Sequence, residues 1–374
     1  MMNRRFPLLA LALACGTLPA GHAQGQTQAP AQAEAPADPL RIIMVDVEGG
    51  AAALYITPEG HSVLIDAGWP AGVGGGRPAA GQPAPEPRSD ATRIVAAARA
   101  AGLTRIDYLV VTHYHIDHVG GVADLLAQIP VGVIIDHGPN REEPVPGLPP
   151  ARFPPSILYP AYLEAIAGRE RRLMQAGDTL EIDGLSLLAV VGDRVVVDGV
   201  NGEPAAGIGC ADIVAKVDDE EEENPRSLGF LMSWGAARLL ALGDITWNLE
   251  NQIVCPDNRL GAVDLYVADN HGSGISNSPV FLRNIDPRVV LFQNGTRKGA
   301  DVSTFEAVRA LPGLQALWQM HETERVPESN EPPAHIANLA GGTDGHPLQI
   351  YVARDAAITV VNPRIGHSET YPPR

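Results

Sequence analysis

A short segment of the sequence carries four side chains that bind transition metals. Within residues 112–118 these are His113, His115, Asp117 and His118. His113 and His115 are two residues apart, so in extended chain their side chains point the same way, whereas Asp117 and His118 follow in a turn and can face a neighbouring position. Imidazoles and an ionised carboxylate, both available at neutral pH, suit zinc, iron or manganese. The segment therefore predicts a metal centre rather than a polar loop of unrelated histidines.

Two polar residues much later in the chain stand at equivalent places. Asp244 ends an apolar run after a glycine, and His271 also follows an apolar run. Ligand sites in open α/β sheets form at the carboxyl ends of the strands. We therefore expect both side chains to lie beside the histidine cluster.

The hydrophobic pattern around these residues predicts a mixed α/β domain in two halves. Each half begins with strands, which indicates two packed sheets with helices outside them, an α/β (α+β) fold in four layers. The first half has predicted strands at Arg41–Val47, Ala52–Thr57, His61–Ile65, Ile106–Val111 and Val131–Ile135, and helices at 90–101 and His118–Gln128. The second has predicted strands at Leu228–Trp234, Arg238–Leu242, Asp264–Ala268, Arg288–Phe292, Leu314–Gln319, Gln349–Val352 and Ala357–Val361, and helices at Ile245–Ile253, Ser278–Asn284 and Val302–Ala310.

The N-terminal segment predicts export, and the rest of the chain divides into a domain and a tail. Residues 1–23 have the basic, apolar and small-residue regions of a signal peptide, residues 24–39 read as a disordered lead-in, residues 40–362 as the folded domain, and residues 363–374 as a C-terminal tail. Within the domain, residues 138–174 read as an insertion that roofs the cleft and becomes helical from Ala161 to Met174, and residues 218–226 as a solvated acidic loop. The expected location is periplasmic or secreted, with no membrane span in the mature chain and a lipid anchor at Cys15 as a weaker alternative. Cys210 and Cys255 could form a disulfide or remain two thiols.

The histidine segment and several other motifs resemble the metallo-β-lactamase superfamily. His113 to His118 has the superfamily's HxHxDH pattern, and Gly120 and Gly121 follow it. Asp46–Ala51, Leu64–Gly68, Leu239–Asp244 and Asp269–Ser273 resemble the DVGQGDA, LIDTG, LLxTGD and HHGS motifs of the hydrolase domain of the bacterial DNA-uptake protein ComEC and its stand-alone secreted relatives. The resemblance covers about residues 41–361 and implies the αββα sandwich of that superfamily.

The resemblance also implies a role for each matched residue. His113 and His115 would bind a first divalent metal ion, Asp117, His118 and His271 a second, and Asp244 would bridge the two, with Asp117 and Asp244 the catalytic residues. Asp66 would orient the histidine loop. Many relatives supply a third histidine to the first ion. His137 is the candidate for it here, and the alternatives are a loop residue or a side chain that supports the ligands from behind. Asn224 and Ser227 resemble an NxxS element of the uptake group. Zinc is the expected metal, with manganese or iron as alternatives.

Three other residues are candidates for binding substrate. Arg297 and Lys298 stand where the uptake group has a Gly-His-Pro element, and they could hold a phosphate or a carboxylate; a solvated basic turn is the alternative. His321 ends a predicted strand and could line the cleft as a proton donor, or it could be structural.

These features predict a secreted hydrolase that uses a hydroxide bridging two metal ions. Phosphoesters or phosphodiesters are the expected substrates, carbonyl substrates such as a lactone, lactam or thioester are the first alternative, and a non-catalytic binding protein that retains the fold is the second. The net charge of −17 opposes extended nucleic acid as a partner, because a duplex needs a basic track. We expect a small-molecule or anionic ester substrate instead.

Overall fold

The computed structural model describes residues 2, 38–73, 89–142, 153–200, 205–216, 222–342 and 345–374. The predicted signal peptide beyond residue 2, Cys15 and nearly all of the lead-in lie outside these residues. The helices and strands of the described residues belong to the unit Ala33–Arg374.

The described residues form these elements in chain order. The strands are β1 (Leu40–Met44), β2 (Ala53–Ile56), β3 (Ser62–Ile65), β4 (Ile106–Val110), β5 (Val131–Asp136), β6 (Glu170–Leu173), β7 (Thr179–Ile182), β8 (Leu185–Gly192), β9 (Val195–Val196), β10 (Ala205–Ala206), β11 (Gly229–Trp234), β12 (Ala237–Ala241), β13 (Asp257–Asn258), β14 (Leu265–Val267), β15 (Val289–Phe292), β16 (Ala316–His321), β17 (Ile336–Asn338), β18 (Leu348–Val352), β19 (Ile358–Asn362) and β20 (His367–Tyr371). The α-helices are α1 (Asp90–Ala100), α2 (Ile116–Val119), α3 (Val122–Gln128), α4 (Pro155–Ala165), α5 (Trp247–Val254), α6 (Pro279–Ile285) and α7 (Val302–Arg309).

Two large sheets share one design. The first has the strand order β20-β19-β18-β1-β2-β3-β4-β5-β6, and the second has the order β17-β16-β15-β14-β12-β11-β8-β7, with β9 added to β8. Each sheet is antiparallel in one part and parallel in the other, from β3 to β6 in the first and from β12 to β17 in the second. The candidate ligands follow β4, β12 and β14, so they all come from the carboxyl ends of strands in the parallel parts.

Three apolar cores produce four layers. One core lies between the sheets and joins side chains such as Ile42 and Tyr55 of the first sheet to Phe230 and Trp234 of the second. A second core packs the other face of the first sheet against α1 to α4, and a third packs the other face of the second sheet against α5 to α7. This arrangement confirms the predicted αββα sandwich.

Three predicted elements differ in the structure. The helix expected from Ala161 to Met174 is wrong: α4 ends at Ala165, Gly168 adopts a positive φ of 75°, and Glu170–Leu173 forms the edge strand β6. The described part of the expected insertion therefore extends the first sheet. The helix expected at His118–Gln128 is two helices, α2 and α3, with Gly120 and Gly121 between them. A Cβ on Gly121 would lie only 2.1 Å from the Ala67 carbonyl oxygen, so the chain passes Ala67 closely at this point. The expected C-terminal tail contains β20, which pairs with β19.

Two further observations concern the cysteines and the helices. Cys210 and Cys255 form a disulfide with Cα atoms 5.7 Å apart, which decides between the two alternatives for these residues. Within the described ranges, every helix is too short or too polar to cross a bilayer.

Candidate metal centre

Four buried side chains from three strand ends converge on one point. Asp117, His118, Asp244 and His271 each offer one ligand atom, and these atoms lie within 4.8 Å of one another. His118 Nε2 is 3.3 Å from both Asp117 Oδ2 and Asp244 Oδ2. His271 Nε2 is 3.1 Å from Asp117 Oδ2 and 3.4 Å from Asp244 Oδ2. The arrangement brings together the residues that the sequence placed around a second metal ion.

The two imidazoles of this cluster present lone pairs to its centre. His118 Nδ1 lies 2.8 Å from Asp66 Oδ2, and His271 Nδ1 lies 3.1 Å from the Gln293 carbonyl oxygen. Both partners only accept, so each Nδ1 carries a hydrogen, and in the neutral form of either ring the lone pair is on Nε2. Among the described residues neither Nε2 has a hydrogen-bond partner, although both are buried. Two buried lone pairs beside two carboxylates fit a cation, and the outer hydrogen bonds are those that orient metal-binding histidines.

His113 and His115 form an adjoining pair. His113 Nε2 lies 3.1 Å from His115 Nδ1, and the ring centroids of His113 and His118 are 4.1 Å apart. The outer nitrogen of each ring is also held: His113 Nδ1 lies 3.1 Å from Thr112 Oγ1, and His115 Nε2 lies 3.3 Å from Glu142 Oε2. Two inner nitrogens this close can bind one ion, next to the four-residue cluster.

Asp66 fixes the loop that carries the histidines. Its Oδ1 accepts a hydrogen bond from the Thr112 backbone N–H, and its Oδ2 accepts from Thr112 Oγ1 and His118 Nδ1, each at 2.8 Å. Asp66 has a positive φ of 61°, a conformation that aspartate tolerates better than most residues. The structure thus places Asp66 where the resemblance implied, behind the ligands.

Asp244 is positioned by close packing between the two sheets. A Cβ on Gly243, whose φ is 69°, would lie 2.9 Å from Ser227 Cβ and 3.2 Å from Thr112 Cβ. The Ser227 hydroxyl accepts a hydrogen bond from the Asp244 backbone N–H at 3.1 Å, and the Leu228 N–H donates to the Thr112 carbonyl at 2.9 Å. Only glycine lets the end of β12 approach the end of β4 this closely.

His271 lies on a strained turn with a buried carboxyl pair beneath it. Asn270 and His271 have φ values of 48° and 57°. These values lie in the left-handed region, which residues other than glycine adopt uncommonly. Burial raises the pKa of Glu250 to about 7, and burial together with the nearby Glu250 charge raises the pKa of Asp269 well above its usual value. Glu250 also accepts from the Asn277 and Ser278 backbone N–H groups at 2.5 and 2.7 Å. The strain is therefore held by a dense polar network, as is common at functional sites.

The electrostatics of the centre favour a bound cation. Burial by itself would raise the pKa of Asp117, but Lys298 and His118 hold it well below its usual value. Burial would likewise raise the pKa of Asp244, which His118 and His271 lower. Burial and the neighbouring His118 and His115 lower the pKa of His113 well below the usual value. Burial by itself would lower the pKa of His118, but the Asp244, Asp117 and Asp66 carboxylates raise it well above its usual value. The carboxylates of the centre are thus ionised, and they attract positive charge at the position between them.

One cation of the expected pair reaches this centre. The Lys298 ammonium contacts Asp117 Oδ2 and lies 5.4 Å from the centroid of the Trp69 ring. Arg297 instead forms an exposed ion pair with Glu324, at 2.7 Å. A Cβ on Gly49 would lie 3.0 Å from the Gly295 backbone nitrogen and 3.1 Å from Lys298 Cβ. The basic turn therefore packs closely against the end of the first sheet.

Two predicted histidines have other partners in the structure. His321 Nε2 lies 2.7 Å from Asp46 Oδ1, and its Nδ1 lies 3.6 Å from Glu48 Oε2. His137 Nε2 lies 3.1 Å from Glu223 Oε2, with both side chains fully buried. The structure does not bring either histidine into the four-residue cluster.

The expected acidic loop is partly wrong. Its described end is buried rather than solvated: Glu223 is 0% exposed and Asn224 7%. Glu223 Oε2 accepts from the Tyr114 backbone N–H at 3.3 Å, and the Glu223 N–H donates to Glu142 Oε2 at 2.9 Å. Glu142 and Glu223 thereby support the histidine loop. The acidic run in the sequence did not predict this role.

Comparisons with known proteins agree with this geometry. Residues 46–209 match the model of the metallo-beta-lactamase superfamily. A stretch of 59 residues is 49% identical to a hydroxyacylglutathione hydrolase of Alkalilimnicola ehrlichii, and the match covers 16% of this chain and 21% of that enzyme.

Two similar solved structures have low sequence identity to this chain. The metallo-beta-lactamase fold protein YhfI from Bacillus subtilis is 10% identical, with a TM-score of 0.41 over 75% of this chain and 96% of that one. Tm1679, described as a metal-dependent hydrolase of the beta-lactamase superfamily, is 13% identical, with a TM-score of 0.42 over 75% and 95%. Residues 46–209 thus match the metallo-β-lactamase superfamily, and the four-layer fold of the described residues agrees with that match.

Proposed function

We propose that this protein is a metal-dependent hydrolase of anionic esters, with phosphoesters as the principal substrates. The observation that carries the proposal is the pair of buried, unpartnered Nε2 atoms of His118 and His271 beside two ionised carboxylates. His113 and His115 would hold one divalent ion, Asp117, His118 and His271 a second, and Asp244 would contact both. Bound zinc, manganese or iron would supply water of lowered pKa and neutralise charge on the attacked group.

The chain's own residues set the charge and orientation at this site. Asp66 and the Gln293 carbonyl hold His118 and His271 in the tautomers that direct Nε2 inward. Lys298 adds a positive charge at the edge of the centre, where its side chain is 37% exposed. A partly exposed ammonium in contact with the cluster favours substrates that carry negative charge.

Metal removal and substrate panels test the proposal. Protein treated with a chelator and then resupplied with zinc or manganese should hydrolyse bis(4-nitrophenyl) phosphate, and the chelated protein should not. The panel should also contain 4-nitrophenyl phosphate, a lactone and a cephalosporin. A metal-loaded protein that turns over none of these would support the non-catalytic alternative.

A thioester substrate is the second candidate. The match to a hydroxyacylglutathione hydrolase favours it, although that match spans about a fifth of the relative's length. A hydroxyacyl-glutathione thioester also carries carboxylates that Lys298 could bind. Turnover of this thioester at least ten times faster than of any phosphoester would replace the principal proposal.

Export and kinship with the ComEC hydrolase domain remain predictions. The disulfide between Cys210 and Cys255 supports export, because such bonds persist in oxidising compartments. Fractionation of cells that express the full chain should place the processed protein outside the cytoplasm. A palmitate-labelling experiment with Cys15→Ser should distinguish a lipid anchor from simple cleavage.

A further inference from the structure

A second group of potential metal ligands shares no residue with the metal centre around Asp244 and lies where the edge strands β17 and β20 of the two sheets approach each other. His335 ends the 3-10 helix Pro333–His335 just before β17, at the edge of the second sheet. His367 and Glu369 are two residues apart on β20, the edge strand of the first sheet, so they share one face. Glu369 Oε1 lies 3.0 Å from His335 Nε2 and 2.9 Å from His367 Nε2.

The hydrogen bonding of His335 directs its Nε2 at the Glu369 carboxylate. His335 Nδ1 lies 3.2 Å from the Leu317 carbonyl oxygen, so Nδ1 carries a hydrogen. In the neutral ring Nε2 then carries a lone pair and can only accept a hydrogen bond. It faces Glu369 Oε1, which also only accepts. Two acceptors this close need either an extra proton on the ring or a metal ion between them.

The surroundings are those of a metal site rather than a casual surface contact. Tyr371 Oη donates to Glu369 Oε2 at 2.8 Å, and Trp318 Nε1 donates to Tyr371 Oη at 3.1 Å. The Trp318 ring stacks on His335 with centroids 4.2 Å apart and a 17° interplanar angle. Such outer contacts fix the direction of metal ligands. In a tetrahedral zinc site with bonds of about 2.0–2.1 Å, ligand atoms lie about 3.3 Å apart, close to the separations found here.

We propose that His335, His367 and Glu369 bind a zinc ion, with water as the fourth ligand, and that this ion fastens the edges of the two sheets together. The side chains are 17%, 32% and 38% exposed, so water and zinc can reach them. The site stands independently of the proposed hydrolase function, because it shares no residue with the hydrolytic centre.

Zinc stoichiometry and thermal unfolding test this site. Wild type and His367→Gln are stripped with a chelator, titrated with zinc and analysed for bound metal and unfolding temperature. His367→Gln should bind one zinc fewer per chain and retain hydrolysis. At free zinc about 100 times the dissociation constant, this site should raise the unfolding temperature of wild type by about 4 °C more than that of the variant.

A second background and two controls keep the result decisive. In Asp117→Asn/Asp244→Asn, which weakens the hydrolytic centre, zinc should still bind and still raise the unfolding temperature. Glu369→Gln in that background should abolish both effects. His61→Gln, which removes a surface histidine paired with Asp183 at 2.7 Å, should change neither. Equal zinc content and equal temperature shifts in wild type, His367→Gln and Glu369→Gln would overturn the proposal. They would show that the histidines are protonated and form only ion pairs with Glu369.

Discussion

Replacing Asp66 by asparagine should weaken metal binding, although the side chain keeps its size and the backbone can keep its positive φ. All three hydrogen bonds to Asp66 are donated to it, two of them to Oδ2. If the NH2 of the asparagine amide takes the place of Oδ2, it faces the Nδ1–H of His118, donor against donor. The ring must then move its hydrogen to Nε2, the metal-binding atom. If the NH2 takes the place of Oδ1 instead, the backbone N–H of Thr112 loses its acceptor.

Each orientation has a cost of known size. Loss of an outer hydrogen bond to a metal-binding histidine lowers metal affinity about 10–100-fold, or about 1.4–2.7 kcal/mol. A buried N–H without a partner costs about 1–3 kcal/mol of stability. The first orientation therefore appears as weaker zinc binding, and the second as a less stable metal-free protein.

Zinc competition with a chromophoric chelator and urea unfolding of the metal-free protein measure the two costs. Asp183→Asn is the matched control: Asp183 also has a positive φ, 51°, and accepts from Thr57 Oγ1 and His61 Nδ1 at 2.7 Å, but on the surface. The control should leave zinc affinity unchanged. Zinc affinity within twofold of wild type together with unchanged stability in Asp66→Asn would refute the role given to Asp66.

Three further predictions concern charge, the disulfide and pH. Lys298→Met should lower kcat/KM for anionic esters about 10–100-fold, as expected for loss of a hydrogen bond to a charged group, and should change kcat/KM for neutral esters less than threefold. Arg297→Met, which breaks the ion pair with Glu324, is the control. Equal losses on both substrate types would contradict the prediction. Cys210→Ser/Cys255→Ser should lose up to about 4 kcal/mol of unfolding free energy, because the bond closes a loop of 45 residues; urea unfolding at wild-type stability would contradict it. The hydrogen bond to Asp183 raises the pKa of His61, so protonated His61 stabilises the fold below about pH 6.5 and this contribution is lost as the pH rises through the folded-state pKa; NMR titration should show that pKa falling in Asp183→Asn, and an unchanged value would contradict it.

The sequence predicted the fold and the inner ligands because both depend on local patterns. Apolar runs that end in a polar residue mark the buried strands, and most predicted strands agree with the structure within two or three residues at each end. Asp244 and His271 follow two such runs, β12 and β14, so their convergence could be expected from the parallel pairing of these strands. His113 and Asp117 lie in one short segment and need no long-range information.

The support of the site could not be predicted, because it depends on contacts between distant segments. Glu223 is 86 residues from His137 and 81 from Glu142, and no local pattern distinguishes it from its acidic neighbours. Arg297 and Lys298 are adjacent, and only the turn geometry decides which of them reaches Asp117.

Strand β20 was missed for a different reason. Its sequence, His-Ser-Glu-Thr-Tyr, lacks the alternation of apolar and polar residues that indicates a half-buried strand. As an edge strand it pairs through its backbone with β19, and its side chains are mostly polar. The same polar character supplies His367 and Glu369 to the proposed zinc site.

The central claim is that the side chains around Asp244 bind the metal ions on which hydrolysis depends. Its most direct test is the hydrolysis rate of chelator-treated protein as zinc is added back, measured for wild type and for Asp244→Asn. Wild type should be inactive at first and recover with a saturating dependence on zinc, while Asp244→Asn should stay at least about 100-fold less active at every zinc concentration. Full activity of the chelated wild type, or recovery of Asp244→Asn to the wild-type rate, would contradict the account.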